Sequence, residues 1–198
     1  MADSRREQQR LETRGRVFAA AVEVFRRDGV TASKIEDITR LAEVSRGTFY
    51  FHFPTKEHVL TELLLVEEAA LVDRVEAVDD QAPIEQVLAA AAQAIADRWS
   101  EEPELFVEVG VIGLRNTAAT LAIGPGGVRA SLALRFVLAA ERGELTAAVP
   151  PQILADFYLA NTFAVAVGWS TNPILPLDQA LQASALLFLN GARAERPI

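Results

Sequence analysis

Apolar residues recur along this chain at steps of three and four and nowhere alternate convincingly one by one, a periodicity that predicts helices and no sheet. Phe18, Ala21, Val22 and Phe25 share one face of a first helix running from about Glu7 to Arg27, which Gly29 ends. Ser33 and Glu36 have the spacing of a capping box that opens a short second helix, along which Ile35, Ile38 and Leu41 mark the buried side. Ala42 to Ser45 leave room only for a turn. Ser45 then caps a third helix on which Phe49 and Phe53 face inward while Gly47, Thr48 and Tyr50 make a small, polar outward side. A long helix follows Thr55 and continues to about Val78. Pro83, Pro103, the Gly124-Pro125-Gly126-Gly127 break, Pro150-Pro151 and Pro176 mark further starts, so the expected architecture is all-α with about nine helices.

Two of the later helices carry more apolar surface than one core face needs. From Pro151 to about Trp169, Ile153, Phe157, Ala160 and Ala164 form one stripe, and Leu154, Tyr158, Val165 and Trp169 form another. From Pro176 to Asn190, Leu177, Leu181, Ala185 and Phe188 recur, with Leu186, Leu187 and Leu189 widening the stripe and Gly191 as the stop. Such helices must be covered twice, either inside one subunit or by a second copy of the chain. The uncharged run from Phe157 to Leu177 has the length of a membrane span, but Asn161, Asn172, Pro173 and Pro176 interrupt it, so no single spanning helix is expected.

Charge divides the chain. Up to Lys56 there are 11 Lys and Arg against 8 Asp and Glu, whereas beyond it there are 8 against 19. A polyanion therefore has its natural partner in the first part alone. Cysteine is absent, which excludes disulfides, thiolate metal sites and thiol redox sensing. The first residues, with no apolar segment among them, read as a polar arm rather than a secretory signal, and a cytoplasmic location is expected.

No enzyme constellation emerges. The two histidines, His52 and His58, lie on different helices and make a poor metal pair. Adjacent acids such as Glu67-Glu68 and Glu101-Glu102 diverge by about 100° on a helix and read as solvated faces. The Gly124 to Gly127 stretch follows no strand and has no Lys-Ser/Thr tail. No catalytic residue, metal or cofactor is expected. A small-molecule site is better served: Trp99, Phe106, Phe136, Phe163 and Trp169 offer aromatic surface, and Glu108, Arg115, Asn116, Tyr158 and Asn161 offer polar groups to orient a ligand. Core packing competes for each aromatic. Asn161 sits in a strongly apolar helix, where a buried amide demands a partner in a pocket or an interface.

The stretch Arg16 to Leu60 resembles the DNA-binding domain of TetR/AcrR-type transcriptional regulators. The likeness runs through Ala20, Ala21, Phe25, Gly29, Ser33, Ile38, Ala42, Val44, Ser45, Gly47, Thr48, Phe49, Tyr50, His52, Phe53, Lys56, Glu57 and Leu60. Thr39 stands where alanine is usual, and Glu43 stands where the turn often has glycine. The resemblance implies a helix-turn-helix domain over residues 1–57 and a helical ligand-binding and dimerisation domain over 58–198. It implies a homodimer formed through the last two helices, a double-stranded DNA operator and a small lipophilic or aromatic effector, with repression as the expected output. Arg46, Gly47, Thr48 and Tyr50 are expected in the major groove, with Arg46 reading guanine, and Ser45, which caps the helix, is expected among the DNA-binding residues. Ser33, Lys34, Tyr50, His52 and Lys56 are expected on phosphates, and Arg5, Arg6 and Arg10 in the minor groove or on the backbone unless that arm is disordered. The competing readings are a ligand-independent architectural or co-regulatory DNA-binding protein, and a helical enzyme whose N-terminal hairpin merely resembles a reading head; for the turn geometry alone, the alternative is a plain surface hairpin whose polar side meets only water.

Overall fold

The helical periodicity is realised in nine helices among the residues that the computed structural model describes, 2–115 and 127–193, with side chains described for 5–113 and 127–193. These are α1 (Ala2–Asp28), α2 (Ile35–Leu41), α3 (Arg46–His52), α4 (Lys56–Glu76), α5 (Ile84–Trp99), α6 (Pro103–Arg115), α7 (Val128–Glu141), α8 (Pro151–Thr171) and α9 (Leu177–Ala192). No strand occurs among the described residues; a single isolated bridge pairs Leu145 with Arg193. The chain separates into two compact units, Met1–Leu64 and Leu65–Ile198, and α4 belongs to both.

In the first unit, the expected polar arm is instead the opening of α1, and Arg10 there pairs with Glu7 at 2.6 Å. Val17, Ala20, Ala21, Val24 and Phe25 of α1 are buried together with Ile38, Phe49, Phe53, Val59 and Leu60. Phe49 and Phe53, both fully buried, stand 6.2 Å apart, and Phe18 stacks 6.4 Å from Phe53. Each such ring contributes roughly 1.5–3 kcal/mol by leaving water. Leu41, expected inward, is 44% exposed because it ends α2 at the turn. Arg14 ties three parts together: it lies 4.4 Å above the Phe53 ring, donates to the His52 carbonyl at 2.8 Å and pairs with Glu62. In the α2–α3 turn Glu43 adopts φ 55°, a left-handed conformation that costs a non-glycine residue roughly 1–2 kcal/mol. Thr39 is buried and returns its hydroxyl to the Glu36 carbonyl at 3.1 Å.

The second unit packs α7 on α8, α8 on α9 and α9 on α5 around Leu88, Leu132, Phe136, Ala155, Tyr158 and Leu189. Helix α6 approaches α8 so closely that a Cβ on Gly110 would fall 1.9 Å from the Phe163 ring. The α4 segment here has little core of its own, Val75 being its one fully buried side chain among residues 65–76. Polar clamps hold it instead. Arg98 bridges Glu67 at 2.7 Å and Glu102 at 3.0 Å, and Glu68 accepts from the Val128 amide at the start of α7 at 3.1 Å. Arg135, buried on α7, donates from one nitrogen to the carbonyls of Val75 at 3.0 Å, Glu76 at 3.1 Å and Val78 at 2.7 Å. That guanidinium caps the C-terminal end of α4, where carbonyls lack helical partners and positive charge is favoured.

One stripe of α8 is buried through Leu154, Ala155, Tyr158, Thr162 and Ala166, while the other, with Ile153 43% and Phe157 60% exposed, is open. On α9, Leu177, Leu181, Ala185 and Leu189 are buried, while Leu186 and Leu187 are 55% and 75% exposed; the helix passes through Gly191 to Ala192 rather than stopping there. By length and mean hydropathy, 21 residues and 1.2, α8 reaches what a membrane span needs. It nevertheless carries Asp156 in a two-point ion pair with Arg129, at 2.5 and 2.9 Å, and buries its second stripe in the unit's core.

Candidate nucleic-acid interface

The turn between α2 and α3 presents α3 by its outer side. Ser45 caps the helix as expected, its Oγ accepting from the Thr48 amide at 3.1 Å and lying 2.9 Å from the Thr48 hydroxyl. With Phe49 and Phe53 anchored below, Arg46, Gly47, Tyr50 and Phe51 occupy the exposed arc. Above Gly47 there is open space, with only the Ser45 Oγ within 4 Å of where a Cβ would stand. Tyr50 is 45% exposed and rests edge-on against Phe49 at 5.4 Å. Arg46 reaches Glu36 on α2 at 2.8 Å, and both side chains are largely in water. An exposed pair of this kind holds the guanidinium loosely, by about 0–1 kcal/mol, so a guanine edge can replace the carboxylate.

Three residues expected on phosphates work inside the unit. Ser33 does not cap α2: Lys34 occupies that position without a side-chain bond, while Ser33 is buried and donates its hydroxyl to the Val30 carbonyl at 2.7 Å. The ammonium of Lys56 donates to the carbonyls of Val30 at 2.5 Å and Ser33 at 3.1 Å, closing the α1–α2 loop rather than projecting to solvent. His52 is buried, and its Nδ1 has no hydrogen-bond partner. Burial first, and then the charges of Arg14 and Arg10, push its pKa below the usual 6.5, so the neutral ring, with one N–H donor, is favoured. Lys34 is exposed at the start of α2. Two features are not given by the sequence pattern: Phe51 is 71% exposed, and Arg14 finds partners distant in sequence. The signal for Phe51 was present, since it lies four residues beyond Gly47 on the outward side.

In the second unit, the residues expected around a ligand divide into two groups. Trp99, Phe106 and Phe163 form one aromatic run, with centroids 5.3 and 6.1 Å apart, and the Arg98 guanidinium lies 4.0 Å over the Trp99 ring. Phe136, Tyr158 and Phe188 form another, within the core, where burial pushes the Tyr158 phenol up to about 12 and its hydroxyl donates to the Leu88 carbonyl at 3.3 Å. Glu108 is half-buried. Asn161 is exposed, on the open side of α8, and so has no buried amide to satisfy. Trp169 donates to the Leu175 carbonyl at 2.7 Å and fastens the α8–α9 connection. The Arg115 side chain and Asn116, like Gly124 to Gly126, lie outside the described residues. A shallow cavity of about 250 Å³ lies elsewhere, bounded by polar groups that include Gln93, Asp97, Arg98 and Asp178.

A capped seven-residue helix offering a cation, a bare glycine and two aromatic rings, held off a two-phenylalanine core by a four-residue turn, defines a DNA-binding helix-turn-helix protein. Comparison with known proteins narrows the class. The family described as bacterial regulatory proteins, tetR family, matches residues 17–63. The regulator QacR of Staphylococcus aureus is 34% identical over 59 residues, which cover 30% of this chain and only 31% of QacR. The regulator UidR of Escherichia coli strain K12 is 27% identical over 191 residues, covering 92% of this chain and 90% of UidR. Among solved structures, the Thermus thermophilus repressor FadR, in complex with lauroyl-CoA, superposes with a TM-score of 0.74 at 26% identity over 93% of this chain and 97% of FadR. The chain belongs to the TetR family of transcriptional regulators, a family of DNA-binding proteins rather than enzymes.

Proposed function

We propose that the chain acts in the cytoplasm as a homodimeric repressor that holds a near-palindromic operator through its two α3 helices and releases it on binding a small lipophilic or aromatic ligand. The observation that carries this reading is the outward arc of α3, where Arg46, Gly47 and Tyr50 are exposed over a fully buried Phe49–Phe53 pair. The open apolar stripes of α8 and α9, with Phe157 and Leu187 most exposed, support a second copy of the chain as their cover. The aromatic run of Trp99, Phe106 and Phe163 supports an apolar effector, as does the acyl-CoA bound by FadR.

Release follows from the way α4 is fastened. Its first residues belong to the unit that carries α3, and its end is capped by Arg135 of α7, so a ligand that shifts α7 pulls on the helix that follows α3. Two heads that must match half-sites of fixed spacing lose register after a displacement of a few ångströms. A ligand drives this only as far as it binds the released state more tightly. Selection of bound sequences from a random DNA pool tests the proposal, with Tyr50→Ala as control. An enriched inverted repeat that is lost in the variant is the expected result, and recovery of no sequence preference contradicts it.

A further inference from the structure

Phe51 is the most exposed aromatic side chain of the first unit among the described residues, and it stands on the same arc of α3 as Gly47 and Tyr50. Its ring is 71% exposed and meets His52 edge-on at 5.0 Å, an arrangement that leaves its outer face bare. The residue one helical turn before it is Gly47, which has no side chain to cover that face and only the Ser45 Oγ near the space a Cβ would fill. A phenyl ring has neither donor nor acceptor, so it cannot join Arg46, Thr48 and Tyr50 in hydrogen-bond readout. In the major groove the one apolar group that a base pair displays is the C5-methyl of thymine. We infer that Phe51 is a specificity-determining residue that selects thymine at one position of each half-site by packing its ring on that methyl group.

The inference rests on the proposal that α3 reads an operator, and the test keeps the two apart. The full-length chain is first used to select an operator from a random pool. Each thymine of that operator is then replaced singly by uracil, which removes the methyl group and leaves base pairing intact, and affinity is measured by fluorescence anisotropy at fixed salt. Wild type should lose about fourfold at one thymine per half-site, the change that corresponds to exposing one buried methyl. Phe51→Ala should bind the thymine and uracil operators alike, and Phe51→Leu, which keeps an apolar side chain, should retain part of the preference. Because the ring is exposed, unchanged circular dichroism melts will show that both variants fold. An operator that wild type binds equally well with every uracil overturns the inference while sparing the operator reading, as does a methyl preference that survives in Phe51→Ala. Failure of the selection itself overturns both.

Discussion

Replacing Arg135 by methionine removes the cap from the end of α4 while keeping a side chain of similar length in the core. The ion pair with Asp80 contributes little, because the Asp80 side chain is 73% exposed and regains water when its partner goes. The loss therefore falls on the carbonyls. Those of Glu76 and Val78 are partly accessible and recover hydration, whereas that of Val75 is buried with its donor and is left unsatisfied, at about 1–3 kcal/mol. With the lost charge-assisted bonds to the other two, the expected cost is roughly 2–4 kcal/mol. Urea denaturation followed by tryptophan fluorescence measures it, since Trp99 and Trp169 both lie in the second unit and report on it alone. Protein concentration must be held constant, because dimerisation contributes to apparent stability. Arg135→Lys, which keeps the charge but loses the planar fork, should fall between. A methionine variant that loses less than about 1 kcal/mol at unchanged denaturant slope would refute the clamp.

Three other outcomes follow from the same geometry. Gly110→Ala should destabilise the second unit by about 1–3 kcal/mol because its Cβ meets Phe163, and the double variant with Phe163→Ala should cost less than the two single changes together; simple additivity in denaturation would contradict the contact. His52 has its pKa depressed, so just below pH 6.5 the unfolded chain takes up a proton that the folded chain refuses, and stability of the first unit falls as pH drops through that window. His52→Gln should flatten this slope in far-ultraviolet melts, and an unchanged slope would assign it to another group. Phe157→Glu should yield monomers in sedimentation with native helicity and at least about tenfold weaker operator binding, whereas a persisting dimer would place the subunit interface elsewhere.

Periodicity made the helices legible, and it did so best where one side chain type repeats on one face. Phe49 and Phe53, four residues apart, share one helical face and turn inward while Gly47 and Tyr50 fall on the outer side, and Gly29, at φ 75°, ends α1 where its pattern stops. What periodicity reports is the face a residue occupies, not the atom its side chain reaches. The contacts of Lys56 and Ser33 are therefore not legible in it: both close the loop after α1, and which carbonyls lie within reach depends on the path of that loop. The surroundings of His52 escape periodicity for a related reason, since Arg14 from α1 donates to its carbonyl and its charge bears on the ring. Arg135 did leave a trace, an arginine on the face shared by Ser131, Leu132 and Phe136, though the end of α4 that it caps lies far away in sequence. The second stripe of α8 was visible as surplus apolar surface, but a pattern of apolar residues is the same whether a core or another subunit covers it.

The central claim is that α3 reads sequence, and Arg46→Ala tests it most directly. Affinity for the selected operator and for a scrambled duplex of equal length is measured at one salt concentration, for wild type and variant. The geometry predicts that Arg46→Ala weakens operator binding by about 5- to 150-fold, corresponding to the roughly 1–3 kcal/mol of a lost guanine contact, while binding to the scrambled duplex changes far less. Equal losses on both duplexes would reduce Arg46 to a phosphate contact and contradict the assignment of α3 as the reading helix.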